Sequence, residues 1–526
     1  MSTDNYEQRA SERNLIKSTS LIAVGTLSSR ILGFIRDVIL AKFFGTGIKA
    51  DAFFVAFRIP NLFRDLVGEG ATNSAFVPIV SEYVHQKERL ALWNFISVVF
   101  ILGLMILSGL TVAGMIFSPF LVRLLAPGFL VDPDKLALTI YLTKVMFPYL
   151  ILIGLTAYSM GILYTFKSFF TPAFSPCLLN ISVILSALIS ARTMEDPVYG
   201  LAIGVLIGGA AQLFVQFRAL SKLGVKFVKP ATLNHPDARR MGRLLLPRLF
   251  GAGVYQLTVF IDTFCASLSF IVGLGGISAI YYSSRVVQLP MGIFSIAMAS
   301  AVLPTLAEYS AKKEFEHFKK TLVFSLESIF FILLPISVIM MVLATPIIKI
   351  LFQRGEFNQY STDITSVALF FYAIGLFSFG GVKIMVTAFH SLQDTKTPVK
   401  VAAVCLLINV ILNFIFMRPL KVGGIALASS ISSMINVVIL FWYITKRLGK
   451  MRENIALYLL KVFLAASVTG LLVFSGWRYV RLSNDIFKLA LVVSSGLIFY
   501  AAFCYVLQVE QAYNLFRWAR GRLRIR

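Results

Sequence analysis

The sequence has few charged residues. Only 14% of its 526 residues are charged and 58% are hydrophobic, whereas a soluble domain has about 25% charged and about 45–50% apolar residues. A chain of this composition cannot cover a water-soluble fold with polar side chains. We therefore expect an all-α integral membrane protein that crosses the bilayer many times.

Cysteine and histidine are also scarce. Each of the four cysteines lies inside an apolar segment without a paired spacing, which is typical of small buried side chains rather than of disulfides or metal ligands. The histidines are scattered near predicted helix ends, so we expect no metal site among them. The cysteines are Cys177, Cys265, Cys405 and Cys504, and the histidines are His85, His235, His317 and His390.

Motifs of bond-making enzymes are missing. The sequence contains no G-x-x-x-x-G-K-[ST] phosphate loop, no H-E-x-x-H zinc helix and no G-x-S-x-G nucleophile turn. Their absence argues against ATP hydrolysis and against an enzyme, and it favours a transporter. The run 273–276, which contains three glycines, is expected to be a turn between spans rather than a nucleotide loop.

Long apolar runs dominate what remains. A window of about 19 residues predicts about fourteen transmembrane helices. Several exceed the about 20 residues that a straight span needs, so tilts or kinks are expected, for example at Pro60 and Pro78. The predicted spans are 15–44, 50–84, 91–122, 136–166, 172–191, 198–217, 244–271, 276–309, 321–348, 364–392, 401–417, 423–445, 456–477 and 489–510.

The net charge is +24, which in a soluble protein would suggest a nucleic-acid partner. In a membrane protein the positive-inside rule explains it better. When alternate loops are assigned to alternate sides, the side that holds the N-terminus carries more than twice as many lysines and arginines as the other. We therefore expect no nucleic-acid partner and a multi-pass membrane protein with both termini in the cytoplasm.

The chain resembles itself at a separation of about 226 residues. Six spans in each half put both halves in the same orientation, related by a parallel pseudo-two-fold repeat. We expect an N-lobe at 1–230, a C-lobe at 231–450, and two extra helices with a basic cytoplasmic tail at 451–526. The matching positions include Thr171-Pro172 with Thr397-Pro398, Cys177 and Asn180 with Cys405 and Asn409, Pro78-x-x-x-Glu82-Tyr83 with Pro304-x-x-x-Glu308-Tyr309, Arg58 with Arg285, and Leu223-Gly224 with Leu448-Gly449.

Arginines inside the first two spans are the main functional signal. An arginine at mid-membrane costs at least about 2.5–3.5 kcal/mol, so four are hard to retain unless they face water or an anionic ligand. The guanidinium fork binds phosphate bidentately, which predicts a cationic chamber for a phosphate-bearing substrate. The predicted substrate-binding residues are Arg30, Arg36, Arg58, Arg64, Arg285 and Asn61.

Acids near these arginines leave an alternative open. Arg36 could pair with Asp37 or Asp51, and Arg64 with a following acid, so that the charges form only an internal ion-pair network. Because the bases outnumber the acids within reach, we expect the acids to position the arginines and to screen them in part. The predicted supporting acids are Asp37, Asp51, Asp65 and Glu69.

A second polar group lies in later spans. Its oxygen atoms would suit a hard cation such as sodium, but hydrogen bonding between helices explains buried asparagine and serine equally well. The residues of this candidate sodium site are Asp262, Asn409, Asn413 and Ser429.

Several motifs resemble those of the MurJ (MviN) family, the lipid II flippases of the multidrug/oligosaccharidyl-lipid/polysaccharide (MOP) exporter superfamily. They extend from the first predicted span into the eleventh. The motifs are S-R-I-L-G-F-I-R-D at 29–37, D-A-F-F-V-A-F-R-I-P-N-L-F-R at 51–64, E-G-A at 69–71, A-F-V-P-I at 75–79, A-P-G-F at 126–129, F-P-Y at 147–149, L-L-N-I-S at 178–182, L-F-Q-R-G-E-F at 351–357 and Q-D-T-K-T-P-V-K at 393–400.

The resemblance implies a flippase of the bacterial inner membrane that moves lipid II, the undecaprenyl-diphosphate-linked disaccharide-pentapeptide, from the cytoplasmic to the periplasmic leaflet for peptidoglycan synthesis. It implies two lobes around a cavity whose arginines are needed for function, and a lipid-tail groove formed by spans thirteen and fourteen. It also implies sodium binding in some members. Arg58 stands where some members have lysine, Ser284 where some have aspartate, and Gln288, a further supporting residue, where others have glutamate.

We therefore expect alternating access, in which the arginines hold the diphosphate and the membrane potential favours its outward movement. Lipid II and membrane lipids are the expected partners, together with other cell-wall synthesis proteins. No cofactor besides a sodium ion is expected. The alternatives are a flippase for another polyprenyl-diphosphate oligosaccharide, a cation-coupled drug exporter of the same superfamily, and a non-transporting scaffold.

Overall fold

Helices form every regular element that the structure describes. The computed structural model describes residues 3–64, 71–86, 89–230, 232–451 and 455–523. No strand occurs in these ranges, which confirms the predicted all-α class. The chain forms two units, Met1–Phe264 and Cys265–Arg526, and the boundary between them falls inside a helix.

The first unit contains ten helices within the described ranges, the last of which ends just beyond its boundary. A 3-10 turn at Pro127–Val131 separates the fifth and sixth helices. The helices are α1 (Thr3–Phe44), α2 (Ile48–Arg64), α3 (Ala71–Gln86), α4 (Arg89–Ile116), α5 (Ser118–Leu125), α6 (Pro133–Met146), α7 (Tyr149–Thr165), α8 (Phe170–Thr193), α9 (Pro197–Lys222) and α10 (Pro236–Ser267).

The second unit contains the remaining described helices. A π-helical segment, Met291–Ser295, follows Pro290 and interrupts the long helical stretch between residues 276 and 311. The helices are α11 (Ser269–Val272), α12 (Gly276–Pro290), α13 (Ile296–Ala311), α14 (Phe315–Val342), α15 (Ala344–Phe352), α16 (Gln359–Ser391), α17 (Lys396–Leu420), α18 (Val422–Leu448), α19 (Ile455–Tyr479), α20 (Asp485–Val506) and α21 (Glu510–Leu523).

Eleven helical stretches of the described residues are long and apolar enough to cross a membrane. The predicted spans 15–44, 50–84 and 244–271 have no counterpart among them. Each of these three spans includes residues outside the part of the chain that the structure describes in full. The eleven are Arg89–Ile116, Pro133–Thr165, Phe170–Thr193, Pro197–Lys222, Gly276–Ala311, Phe315–Val342, Gln359–Ser391, Lys396–Leu420, Val422–Leu448, Ile455–Tyr479 and Asp485–Val506.

Helix caps and turns recur in the two units at the separation of about 226 residues seen in the sequence. Asp132 caps α6 by accepting a hydrogen bond from the backbone N–H three residues later, and Asn358 caps α16 in the same way. The turns that follow α7 and α16 each place one residue in the left-handed region, Lys167 with φ 56° and Gln393 with φ 58°. Each unit therefore repeats the same turn chemistry between corresponding helices.

The Q-D-T-K-T-P-V-K motif forms the turn that begins α17. The Asp394 carboxylate accepts hydrogen bonds from the backbone N–H of Thr397 at 3.0 Å and from its hydroxyl at 2.7 Å, and Arg447 donates to it at 3.3 Å. Partial burial alone would raise the pKa of Asp394, but these hydrogen bonds and the Arg447 charge outweigh it and lower the pKa. The motif therefore ties α17 to α18 within the second unit.

Candidate functional site

Arg36 lies in α1, which packs closely against α8. A Cβ atom placed on Gly25 would come within 2.7 Å of the Ala173 side chain, so only glycine allows this approach. The Arg36 Nε and Nη2 atoms donate to Asp37 Oδ1 at 3.0 and 2.8 Å, and Nη1 donates to Asn180 Oδ1 at 3.0 Å. Both sides of the guanidinium fork are thus oriented by α1 and α8.

Asn180 joins the two helices at this point. Its Nδ2 atom donates to the Ser29 carbonyl oxygen at 3.0 Å while its Oδ1 atom accepts from Arg36. Neither composition nor span prediction identifies this partner, although the L-L-N-I-S motif contains it. Asn180 therefore belongs to the candidate site as a positioning residue that the sequence analysis did not include.

Replacing Asn180 with leucine is expected to lower the free energy of unfolding by about 1–3 kcal/mol, because a charged donor loses its buried acceptor. The thermal unfolding midpoint of the purified protein in detergent would show the loss. Ser182→Ala is the matched control, because Ser182 lies on the same helix and donates to Gly204 at 2.9 Å without contacting α1. Equal shifts for both variants would contradict the positioning role.

Arg30 and Asp37 differ sharply in exposure. The Asp37 side chain is 1% exposed, whereas Arg30 is exposed in the first unit. Among the described residues, no acidic side chain pairs with Arg30. Arg30 is therefore an exposed charge on α1.

Asp51 forms a buried ion pair with Lys135, which lies just before the predicted span 136–166 and was therefore expected in a loop. Lys135 Nζ lies 2.8 Å from Asp51 Oδ2, with side chains 5% and 3% exposed, and 4.2 Å from the ring centre of Phe129. The cap formed by Asp132 puts Lys135 inside the first turn of α6 rather than in a loop. Asp51, predicted as a partner of Arg36, therefore fixes α2 against α6.

Arg58 and Asn61 lie in the second half of α2. Arg58 Nη1 donates to the hydroxyl of Thr263 on α10, which lies in the same unit. Within the described residues, the buried Asn61 Oδ1 atom has no hydrogen-bond partner. Arg64 ends α2, but its side chain lies outside the described part of the chain, as do Asp65 and Glu69.

Arg285 lies on α12 in the second unit. Its Nη1 atom donates to Gln288 Oε1 at 3.1 Å and its Nη2 atom to the Tyr281 hydroxyl at 3.2 Å, while the guanidinium lies 4.8 Å from the Tyr281 ring centre. The structure thus brings together Arg285 and Gln288. Both acceptors are neutral, so these contacts orient the guanidinium without cancelling its charge.

The L-F-Q-R-G-E-F motif holds α12 in place. The ring centres of Phe352 and Phe357 lie 5.2 and 5.6 Å from that of Tyr282, which is adjacent to Tyr281. Arg354 donates to two carbonyl groups at the end of α15, and Gly355 supplies a φ of 59° for the turn. This motif acts on Arg285 through the packing of its helix.

Three residues of the predicted sodium site contact one another. Asn413 Nδ2 donates to Asn409 Oδ1 at 3.1 Å, and Asn409 Nδ2 donates to Ser429 Oγ at 3.3 Å. Both asparagines are fully buried. The contact between Asn409 and Ser429 joins α17 to α18, as the alternative of hydrogen bonding between helices predicts. The two amides and one hydroxyl also provide neutral oxygen atoms for a hard cation. Asp262 lies in the first unit on α10.

The C-terminal helices pack against α14. A Cβ atom on Gly470 would collide with Val338, and one on Gly496 would lie 2.5 Å from Val473, so α19 contacts α14 and α20 contacts α19 closely. Tyr500 on α20 donates to the Phe331 carbonyl at 2.8 Å. These helices are the ones predicted to form a lipid-tail groove.

Comparison with known proteins identifies the family. The family model described as "Lipid II flippase MurJ" matches residues 40–499. A probable lipid II flippase MurJ of Buchnera aphidicola subsp. Acyrthosiphon pisum is 34% identical over 485 residues, covering 90% of this chain and 94% of that protein. The lipid II flippase MurJ of Burkholderia cenocepacia is 33% identical, covering 82% of this chain and 84% of that protein.

Solved structures agree on the fold. A lipid II flippase MurJ in an inward closed conformation matches with a TM-score of 0.80 and 29% identity, covering 93% of this chain and 98% of that one. An inward-facing multidrug MATE transporter of the MOP superfamily matches with a TM-score of 0.66 and 16% identity, covering 80% of this chain and 94% of that one. With eleven apolar spans among its described residues, the chain is a multi-pass membrane protein, and as a MurJ family member it is a transporter rather than an enzyme. It belongs to the MurJ family of lipid II flippases.

Proposed function

We propose that this protein moves lipid II from the cytoplasmic to the periplasmic leaflet of the inner membrane. Family membership supports the substrate, and the geometry of Arg36 is the observation that carries the site. Asp37 and Asn180 hold the guanidinium at fixed distances, and the Asp37 carboxylate screens its charge in part, so the charge that remains would be presented in a fixed direction, which suits a diphosphate. The lipid II so delivered is the substrate of other cell-wall synthesis proteins on the outer side.

The proposed binding site consists of five arginines and one asparagine. Arg30 supplies an exposed charge, while Arg36 and Arg285 supply oriented ones. The buried Asn61 amide oxygen is suited to accept a hydrogen bond from the sugar-peptide head. The full set is Arg30, Arg36, Arg58, Arg64, Arg285 and Asn61.

Alternating access is the proposed mechanism. Fourteen helices would form two six-helix lobes of the same orientation plus two extra helices, with both termini in the cytoplasm. Rocking of the lobes would expose the head to the periplasm while the polyprenyl tail stays in lipid against α19 and α20. The repeated caps and turns in the two units support the repeat on which this mechanism depends.

The proposed driving force is the membrane potential, which favours outward movement of negative charge by about 2.3 kcal/mol per charge per 100 mV. Sodium is proposed as the coupling ion at Asp262, Asn409, Asn413 and Ser429. The mutual contacts of three of these residues support a common site. The ion would bring positive charge into this site and would bind and dissociate once in each transport cycle.

The function is tested in a bacterial host depleted of its own lipid II flippase. The wild-type protein is expected to restore growth and to place lipid II in the outer leaflet, where a probe added outside detects it. Arg30→Ala and Arg285→Ala are expected to leave lipid II inside, because each removes a charge that holds the diphosphate. Arg192→Ala, an exposed arginine near the end of α8, is the matched control. Full rescue by both site variants would refute the proposed site.

A further inference from the structure

A cleft in the first unit lies outside the proposed transport site. It has a volume of about 510 Å³ and opens between α4 and the segment that leads into α10. That segment is held in place, because Val228 N donates to Ser97 Oγ on α4 at 2.8 Å and the Phe227 and Phe100 ring centres are 5.0 Å apart. The cleft is lined by Leu102, Leu233, Asn234, His235, Ala238 and Arg239.

Several contacts hold His235 in place at the floor of the cleft. His235 Nδ1 accepts from the Asp237 backbone N–H at 3.2 Å, and its Nε2 atom lies 3.4 Å from the hydroxyl of the buried Tyr83. The His235 ring centre lies 5.4 Å from that of Phe95. Both ring nitrogens of His235 are thus engaged by the protein, so the cleft binds ligands through its other polar groups.

Arg239 is the uncompensated charge of this cleft. Its neighbour Arg240 forms a two-bond pair with Glu82 at 3.1 and 3.4 Å, and the Asp237 carboxylate accepts from the Tyr83 hydroxyl. Within the part of the chain that the structure describes, the Arg239 side chain has neither a hydrogen-bond nor an ion-pair partner. The acids that could neutralise Arg239 are therefore engaged elsewhere.

The wider surface is basic on one side of the cleft and apolar on the other. The stretch 218–243 contains seven lysines and arginines and one acid. On the α4 side of the cleft, the side chains of Leu104, Met105 and Ile106 are 36%, 59% and 62% exposed. Because α4 is long and apolar enough to cross a membrane, this exposed strip is suited to contact acyl chains. A ligand that fits both sides has an anionic head and an apolar tail.

We propose that this cleft binds the phosphodiester headgroup of an anionic phospholipid of the cytoplasmic leaflet. The Arg239 guanidinium and the Asn234 amide donate to the phosphate, and the acyl chains run along Leu102 and the exposed strip of α4. A cleft of 510 Å³ suits a phosphoglycerol head but is too small for a disaccharide-pentapeptide. The occupant is thus a resident lipid rather than the transported one, and the site does not depend on the proposed flipping activity.

Photoactivatable phosphatidylglycerol tests the site in the full-length protein. The protein is placed in phosphatidylcholine nanodiscs with a small fraction of the probe, and mass spectrometry maps crosslinks to the peptide that contains residues 233–239. We expect Arg239→Gln to weaken binding at this peptide about tenfold, because one charge-assisted hydrogen bond is lost. Lys222→Gln removes the same charge from the same surface outside the cleft and is expected to leave binding within about twofold.

Three results would overturn the proposal. Unchanged labelling in Arg239→Gln would show that Arg239 does not bind the lipid. Equal losses of labelling in Arg239→Gln and Lys222→Gln would show that binding depends on diffuse surface charge rather than on this cleft. Competition by undecaprenyl diphosphate but not by unlabelled phosphatidylglycerol would assign the cleft to the transported lipid. Because the readout is labelling rather than flipping, none of these results depends on whether the protein moves lipid II.

Discussion

Replacing Lys135 with methionine is expected to lower the free energy of unfolding by about 3–5 kcal/mol, because the buried Asp51 carboxylate loses the charge that compensates it. The double variant Asp51→Asn/Lys135→Met contains neither charge and should recover most of that loss. The thermal unfolding midpoint in detergent, measured for both single variants and the double variant, gives the coupling between the two residues.

The chain offers a matched control for this experiment. Lys49 pairs with Asp196, but these side chains are 46% and 42% exposed. An exposed pair contributes about 0–1 kcal/mol, so Lys49→Met should change the midpoint little. If Lys49→Met and Lys135→Met lowered the midpoint equally, or if the double variant lost as much as the sum of the singles, burial would not govern the Lys135 pair.

Arg36→Lys is expected to abolish rescue of a flippase-depleted host, whereas Arg58→Lys should retain it. The Arg36 fork donates to both Asp37 and Asn180, and a lysine ammonium cannot reproduce that planar arrangement. The Arg58 contact with Thr263 joins one donor to one hydroxyl, which an ammonium can also make. A loss of about 1.5–3 kcal/mol at Arg36 corresponds to a decrease of at least about tenfold in binding.

Rescue is scored by growth and by the fraction of lipid II that a probe detects in the outer leaflet, at matched protein levels in the membrane. Retained activity in Arg36→Lys would show that charge alone suffices there and that the oriented fork is unimportant. Failure of Arg58→Lys would show that Arg58, like Arg36, acts through a planar contact. Both variants conserve the positive charge, so a difference in rescue between them reflects the geometry of the side-chain contacts.

Sequence patterns predicted the helices well where apolar residues are continuous. The predicted span 364–392 ends one residue beyond α16, and 423–445 lies inside α18. Breaks were harder to predict, because a run such as 136–166 stays apolar across the interruption between α6 and α7. The break at Phe147 and Pro148 separates the two helices without a change in hydropathy, because the proline, which has no N–H to donate, is itself apolar.

The site was predicted in part. Residue type and local spacing were sufficient to select Arg36 and the adjacent Asp37, and the family resemblance added Gln288, which contacts Arg285 three residues away. Asn180, Lys135 and Thr263 are 84 to 205 residues away in sequence from the residues they contact and come close only through tertiary packing. A sequence without an alignment contains no signal for such pairs, since many buried asparagines and threonines look alike.

In the proposed mechanism, the position of the Arg285 guanidinium over the Tyr281 ring would affect the rate of transport as well as recognition. One face of the guanidinium is covered by an aromatic ring, so part of its hydration shell is already displaced before any anion arrives. An incoming diphosphate then has fewer water molecules to remove, and fewer return when it leaves. Such an arginine favours rapid exchange over tight capture, which a carrier needs because it must release its cargo in every cycle.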